Sequence, residues 1–138
     1  MSLLNQTLVQ TLREALPADG LDALLQALMV HVIADSKELT RRAQAGDTRD
    51  VLVLAHRLAG MAANFGCEAL ADALSRIELE LRADPGRVPS PDTLDRVDGL
   101  ARATVTALDE MIRSWRSACT NMVPISESAV LVPPGGSA

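Results

Sequence analysis

Val51-Leu-Val-Leu-Ala-His-Arg-Leu-Ala-Gly-Met-Ala-Ala-Asn-Phe-Gly66 is the stretch on which the reading of this chain turns. Val51, Leu54, Ala55, Leu58, Met61, Ala62 and Phe65 recur at i, i+3, i+4 and i+7, the pattern of a helix with one face in a core. At about 100° per residue, His56 projects about 160° from the middle of that stripe and points to solvent. Its neighbours on the outer face are Leu52, Val53, Gly60 and Ala63. A solvated helix face normally carries charges, whereas this one carries small or apolar groups around one imidazole. A mid-helix glycine costs about 1 kcal/mol against alanine, and no turn accounts for Gly60. Such a face suits a partner that must approach closely, with the imidazole as its target.

Outward from this helix the chain reads as further helices. Leu3, Leu4, Leu8, Leu12 and Leu16 give a first short amphipathic helix stopped by Pro17. Asp19 is the expected N-cap of a longer second helix, whose stripe runs through Leu21, Leu24, Leu25, Leu28, Val32 and Leu39. Its far end is basic (Lys37, Arg41, Arg42), which suits the negative end of a helix dipole. Gly46 ends it, Asp47 caps the His56 helix, and so short a connection forces an antiparallel neighbour. Gly66 is the expected C′ glycine of the His56 helix. A fourth helix follows with Leu70, Leu74, Ile77, Glu78 and Leu81 on its inner side, closed by Ala83-Asp-Pro-Gly86. Ser90-Pro91-Asp92 starts a fifth, with serine at N-cap, proline at N1 and an acid in the first turn. Its stripe is Leu94, Val97, Ala101, Thr104, Val105, Leu108, Met111, Ile112 and Trp115. From Thr120 the periodicity fails among Pro124, Pro133 and Pro134, so residues 120–138 are expected to form a flexible or extended tail after a bundle over 1–119.

Composition sets the class. Of 138 residues 48% are hydrophobic, yet there is no tyrosine, one phenylalanine and one tryptophan. The core is therefore aliphatic, and the fold expected is all-α: an antiparallel four-helix bundle with an additional short N-terminal helix. A net charge of −5 and the lack of a basic stripe argue against nucleic acid as a partner. Cys67 and Cys119 follow neither a metal-ligand nor a disulfide spacing, so reduced thiols are expected. No signal peptide is visible, and the most apolar stretch, Leu21 to Ala34, is interrupted by Asp22, Gln26 and His31 and is too short to span a bilayer. A cytoplasmic, membrane-free monomer is expected.

His56-Arg57-Leu58-Ala59-Gly60, followed by Asn64-Phe65-Gly66 and Leu70, resembles the signature of histidine-containing phosphotransfer (HPt) domains. The resemblance covers about Asp19 to Glu80 and includes spacing, helix order and chain length as well as the motif. It implies a protein that relays a phosphoryl group to and from receiver-domain aspartates in a two-component phosphorelay, with His56 as the phosphoacceptor. The implied partners are response-regulator receiver domains and a hybrid histidine kinase. The implied contact surface is Arg49, Leu52, Val53, Arg57, Ala59, Gly60, Ala63 and Asn64. The family usually carries a lysine three residues after the histidine, where this chain has Ala59.

The chemistry asked of such a protein is small. A neutral imidazole is a competent nucleophile towards phosphorus, and a free histidine with a pKa of about 6.5 is mostly neutral near pH 7. The resemblance implies that Mg²⁺ sits on the receiver and that the chain needs no cofactor of its own. Between Thr48 and Asn64 the only acid is Asp50, so no metal site is expected around His56. No ATP-binding motif is visible, so a phosphocarrier is expected rather than an autonomous kinase. Each residue also has a plainer reading. His31 is an ordinary helix histidine, Arg49 and Arg57 are solvated arginines that would also reach a phosphate, Asn64 caps a helix end, and Cys67 fills core space. Ala59 in place of lysine keeps a second function open: a binding module that sequesters a receiver or inhibits a kinase without being phosphorylated. A plain helical scaffold is the third.

Overall fold

The computed structural model describes residues 2–118. Its helices are α1 (Gln6–Ala15), α2 (Ala18–Gln44), α3 (Thr48–Asn64), α4 (Glu68–Ala83) and α5 (Pro91–Ser137), the last described over 91–118. The tail expected at 120–138, and Cys119, lie outside the described residues. The chain divides into two compact units, residues 1–108 and 109–138. In the first, α2, α3, α4 and the start of α5 form the antiparallel bundle, with α1 as the additional short helix. In the second, α5 continues past Asp109, with an Arg113–Asp109 pair at 3.0 Å along its exposed side.

The turns follow from local chemistry. Gly46 and Gly66 take φ of +78° and +76°, the left-handed conformation that L side chains resist. Each closes the same motif. After α2, Asp47 N–H donates to Arg42 O (3.0 Å) and Gly46 N–H to Ala43 O (3.0 Å). After α3, Cys67 N–H donates to Ala62 O (2.8 Å) and Gly66 N–H to Ala63 O (3.1 Å). Asp47 then caps α3 by accepting from Asp50 N–H, and Ser90 caps α5 by accepting from Thr93 N–H. One expectation fails: α2 starts at Ala18 with Pro17 in the N-cap place, and Asp19 lies in the first turn. Pro17 starts the helix through its fixed φ, and its carbonyl accepts from Leu21 N–H at 2.9 Å.

Burial agrees with most of the expected stripes. Leu58, Leu70, Leu74, Ile77 and Leu108 are fully enclosed, with Leu21, Leu25, Val32, Leu39 and Val51 beside them. Each enclosed leucine contributes about 1.5–3 kcal/mol, against about 0–1 kcal/mol for an exposed ion pair, so the aliphatic stripes hold the bundle. Leu24 departs from its expected place: it is 45% exposed, because Met29, Ser36 and Ala43 complete the buried face of α2 on its other side. Met61 and Phe65 are half-buried at the margin of the α3 stripe.

Antiparallel register is visible at both ends of α3. Thr48 Oγ1 donates to Pro85 O at 2.8 Å, tying the start of α3 to the end of α4. Arg42 pairs with Asp50 (2.9 Å) and also meets Glu38 and Asp47, tying the end of α2 to the start of α3. Glu38 sits between Arg41 and Arg42, whose hydrogen bonds bring its carboxyl down to about 2. Asn5 does double work at the opposite end. Its side chain caps α1 by accepting from Leu8 N–H and donates to Glu68 Oε1 (2.8 Å), while its N–H donates to Gly66 O (2.7 Å).

That contact makes the two turn glycines unequal. A Cβ at Gly66 would lie 3.3 Å from both the Cβ and the carbonyl oxygen of Asn5, whereas one at Gly46 would meet nothing within 4 Å. Gly46→Ala is expected to cost only the left-handed penalty of about 1–2 kcal/mol, and Gly66→Ala that penalty plus displacement of Asn5. Urea denaturation of the two variants checks the order; equal losses would contradict it.

Candidate functional site

His56 lies in the middle of α3 with its side chain 70% exposed. Its Nδ1 is 2.8 Å from Oε2 of Glu78 on α4. An ionised carboxylate only accepts, so Nδ1 is assigned the proton and Nε2 keeps its lone pair. The same Glu78 oxygen accepts from Arg82 Nε (3.1 Å) and NH2 (2.8 Å), one turn further along α4. The Glu78 side chain is half-buried at 16% exposure, so its carboxylate holds an exposed imidazole by one nitrogen and leaves the other to the surface. Hydrogen bonds from Arg82, then from His56, hold the Glu78 carboxyl below its ordinary value, against partial burial acting the other way.

The exposed face around His56 is as small as the sequence implies. Val53 is 58% exposed, and Gly60, Ala63 and Asn64 are exposed beside it, with Leu52 half-buried. A Cβ added at Gly60 would meet nothing within 4 Å, so no packing demand accounts for the glycine. Arg49 is exposed two turns before His56. Arg57 is also exposed but sits 3.5 Å from Asp35 of α2, on the other flank of α3 from Glu78. Ala59 does not belong to the exposed face. It is 7% exposed, because its position on the α3 circumference falls at the edge of the buried stripe. His31 is exposed on α2. Cys67 is fully buried, and burial pushes its thiol up to about 11, which makes it an inert core filler.

Glu78 and Arg82 are the residues that a search within α3 misses, since the carboxylate comes from 22 residues further on. The available signal was Glu78 itself. An acid on the inner side of an amphipathic helix needs a partner, and the i, i+4 arginine supplies only one of two.

The geometry is that of a helical bundle presenting one oriented, nucleophilic imidazole nitrogen on a face with little steric bulk. The Hpt domain family matches this chain over residues 5–118. The chain belongs to that family. Hpt domains are the histidine phosphotransfer modules of phosphorelays, and the bundle described above is their fold. Among curated relatives, the virulence sensor protein BvgS of Bordetella pertussis is 34% identical over 101 residues, 68% of this chain and 8% of that protein. BvgS of Bordetella parapertussis matches to the same extent. This Hpt domain thus spans a small fraction of the length of those relatives. Among solved structures, the histidine-containing phosphotransfer protein HptB from Pseudomonas aeruginosa superposes with a TM-score of 0.72. The match covers 81% of this chain and 96% of HptB at 18% identity, a likeness of fold. No helix among the described residues is long and apolar enough to cross a membrane.

The lowered carboxyl of Glu78 has a signed consequence. A carboxylate whose folded pKa is depressed stabilises the fold above its unfolded value, near 4.5, and that contribution fades as pH falls through the lowered folded value. Glu78→Gln should therefore be less stable than the wild type at neutral pH, with the difference shrinking below about pH 4.5. Chemical denaturation from pH 7 to 3 checks this, and parallel stability curves for the two proteins would contradict it.

Proposed function

We propose that His56 is the phosphoacceptor of this Hpt domain, and that Nε2 receives a phosphoryl group from a receiver-domain aspartate and returns it to another. The observation that carries the proposal is the occupation of Nδ1 by Glu78 on a side chain that is otherwise 70% exposed. It holds the ring in one orientation and directs the lone pair outward. In transfer, the Nε2 lone pair attacks phosphorus, and the bond from phosphorus to the aspartate oxygen breaks with its electron pair. Nδ1 keeps its proton, so the ring becomes an imidazolium whose charge faces the Glu78 carboxylate. A fixed counter-charge at that position stabilises the ring in both directions of transfer. Glu78 acts on His56 as a positioning residue.

The remaining parts come from outside the chain. We assign Mg²⁺ to the receiver and no cofactor to this domain, and a hybrid histidine kinase as the upstream source of phosphate. Arg49, Leu52, Val53, Arg57, Gly60, Ala63 and Asn64 form the contact surface in this scheme. The acidic net charge agrees with a protein partner and not with nucleic acid. A cytoplasmic monomer is the simplest form in which one exposed face serves successive partners.

The test is transfer from a phosphorylated receiver. His56→Gln should remain helical and lose all labelling, while His31→Gln labels as the wild type does. Labelling that persists without His56 would refute the assignment, and an unlabelled wild-type protein that still binds the receiver would establish the binding-module alternative. Gly60 separates docking from folding. Gly60→Ala should gain about 0.5–1 kcal/mol of stability and lose modest rate. Gly60→Gln should stay folded and slow transfer by about 10-fold or more, because transfer tolerates little misplacement of the reacting atoms. Melting curves and transfer rates on both variants decide, and a wild-type rate for Gly60→Gln would exclude close approach at this face.

A further inference from the structure

Between α2 and the first half of α3 lies a groove that the chemistry at His56 leaves unused. It holds about 210 Å³, the share of roughly seven waters at about 30 Å³ each, which is room for one long side chain. Val53 and Leu54 form its apolar part, and Asp50 with Glu38 and Arg42 forms its charged part. Val53 is 58% exposed, and Asp50 keeps 45% of its side chain in solvent. The charges around the groove do not balance. Arg42 is shared by Glu38 (2.8 Å), Asp50 (2.9 Å) and Asp47 (3.4 Å), and Arg41 adds a second cation on Glu38. Three carboxylates thus meet two guanidiniums, and one negative charge is left over. Arg49 does not offset it, because it sits about 100° round α3 from Asp50 and does not line the groove.

We propose that this groove selects the receiver, by taking one basic side chain whose methylene stem lies on Val53 and Leu54 and whose cationic head meets Asp50. The role rests on the assignment of His56 as phosphoacceptor and adds a specificity determinant to it. Position puts the groove under the partner. Val53 is one turn before His56, and Asp50 is about 9 Å from it along the helix axis. A standard interface covers about 800 Å² on each side, a patch of about 16 Å radius. A receiver that brings its aspartyl phosphate to Nε2 therefore covers the groove as well. Chemistry then decides the occupant. An acidic side chain would meet three carboxylates, and an aliphatic one would desolvate Asp50 without giving it a partner. A lysine or arginine covers apolar surface with its stem and supplies the missing positive charge with its head. Arg42 stays with Glu38 and Asp47 on the α2 side, so the newcomer completes the cluster without dismantling it.

Purified receiver domains from the same genome, loaded with acetyl phosphate, are mixed with the full-length protein, and the fastest donor serves as the probe. Phosphoramidate, a small donor that needs no docking surface, reads the chemistry at His56 separately. The readout is the ratio of receiver to phosphoramidate labelling rates. Asp50→Asn is expected to lower the ratio about 3- to 10-fold. The wild-type ratio should itself fall between about 50 mM and about 0.5 M salt, a result that needs no variant to fold, and Asp50→Asn should flatten that fall. Asp98→Asn, which removes a comparably exposed acid paired with Arg102 on α5, should keep the wild-type ratio. One lysine or arginine of the receiver, changed to Gln, should lower the ratio for the wild type and lower it no further for Asp50→Asn. A salt-independent wild-type ratio would overturn the groove's role, as would a wild-type ratio for Asp50→Asn shown by melting to be folded. Slower transfer for Arg42→Gln with faster transfer for Asp50→Asn would mean an acidic occupant and would overturn it too. In all these cases His56 still labels from phosphoramidate. Failure of the wild type to label from either donor would instead overturn the phosphoacceptor assignment, and the groove's role with it.

Discussion

The 2.8 Å hydrogen bond from Nδ1 of His56 to Glu78 joins two helices, so it exists only while α3 and α4 keep one register and one separation. A slip of one residue along either helix rotates its side chain by about 100° and breaks the contact. The bundle guards that register at three places. The left-handed Gly66 makes the turn between the helices, and Asn5 fastens that turn from outside through its N–H and its side chain. Thr48 joins the far end of the pair to Pro85. Between them the enclosed Leu58, Leu70, Leu74 and Ile77 fill the space. Dispersion and burial thus set a distance on which the chemistry of one exposed ring depends.

Much of this was legible in the chain because the deciding signals are local. Gly46-Asp47, Gly66 and Ser90-Pro91 each fix a helix end by their own backbone and capping chemistry, and the structure places those ends where the sequence implies them. His56 was legible for the same reason, since a residue opposite an apolar stripe needs only the helical period to be placed. The misreadings occur where a neighbour decides. Asp19 has the chemistry of an N-cap, yet Pro17 starts α2 first. Leu24 fits the apolar spacing, but Met29 and Ser36 show that the buried face lies on the other side. Ala59 follows His56 by three residues and belongs to the core margin.

Glu78 and Arg82 were beyond reach for a sharper reason. Their relation to His56 is a property of the α3–α4 register, which no window within either helix contains. What the sequence did show was an acid among Leu74, Ile77 and Leu81 on the inner side of α4, a placement that demands a partner. At this site the described residues present one oriented imidazole, one carboxylate behind it and a face free of bulk.

The proposed chemistry gives Nδ1 of His56 to Glu78 and leaves Nε2 to react. The most direct measurement is the identity of the phosphorylated nitrogen, read from ³¹P–¹⁵N couplings in protein labelled with ¹⁵N-histidine and phosphorylated by a receiver. Phosphate is expected on Nε2 of His56, with Nδ1 still carrying its proton. Phosphate on Nδ1 would contradict it.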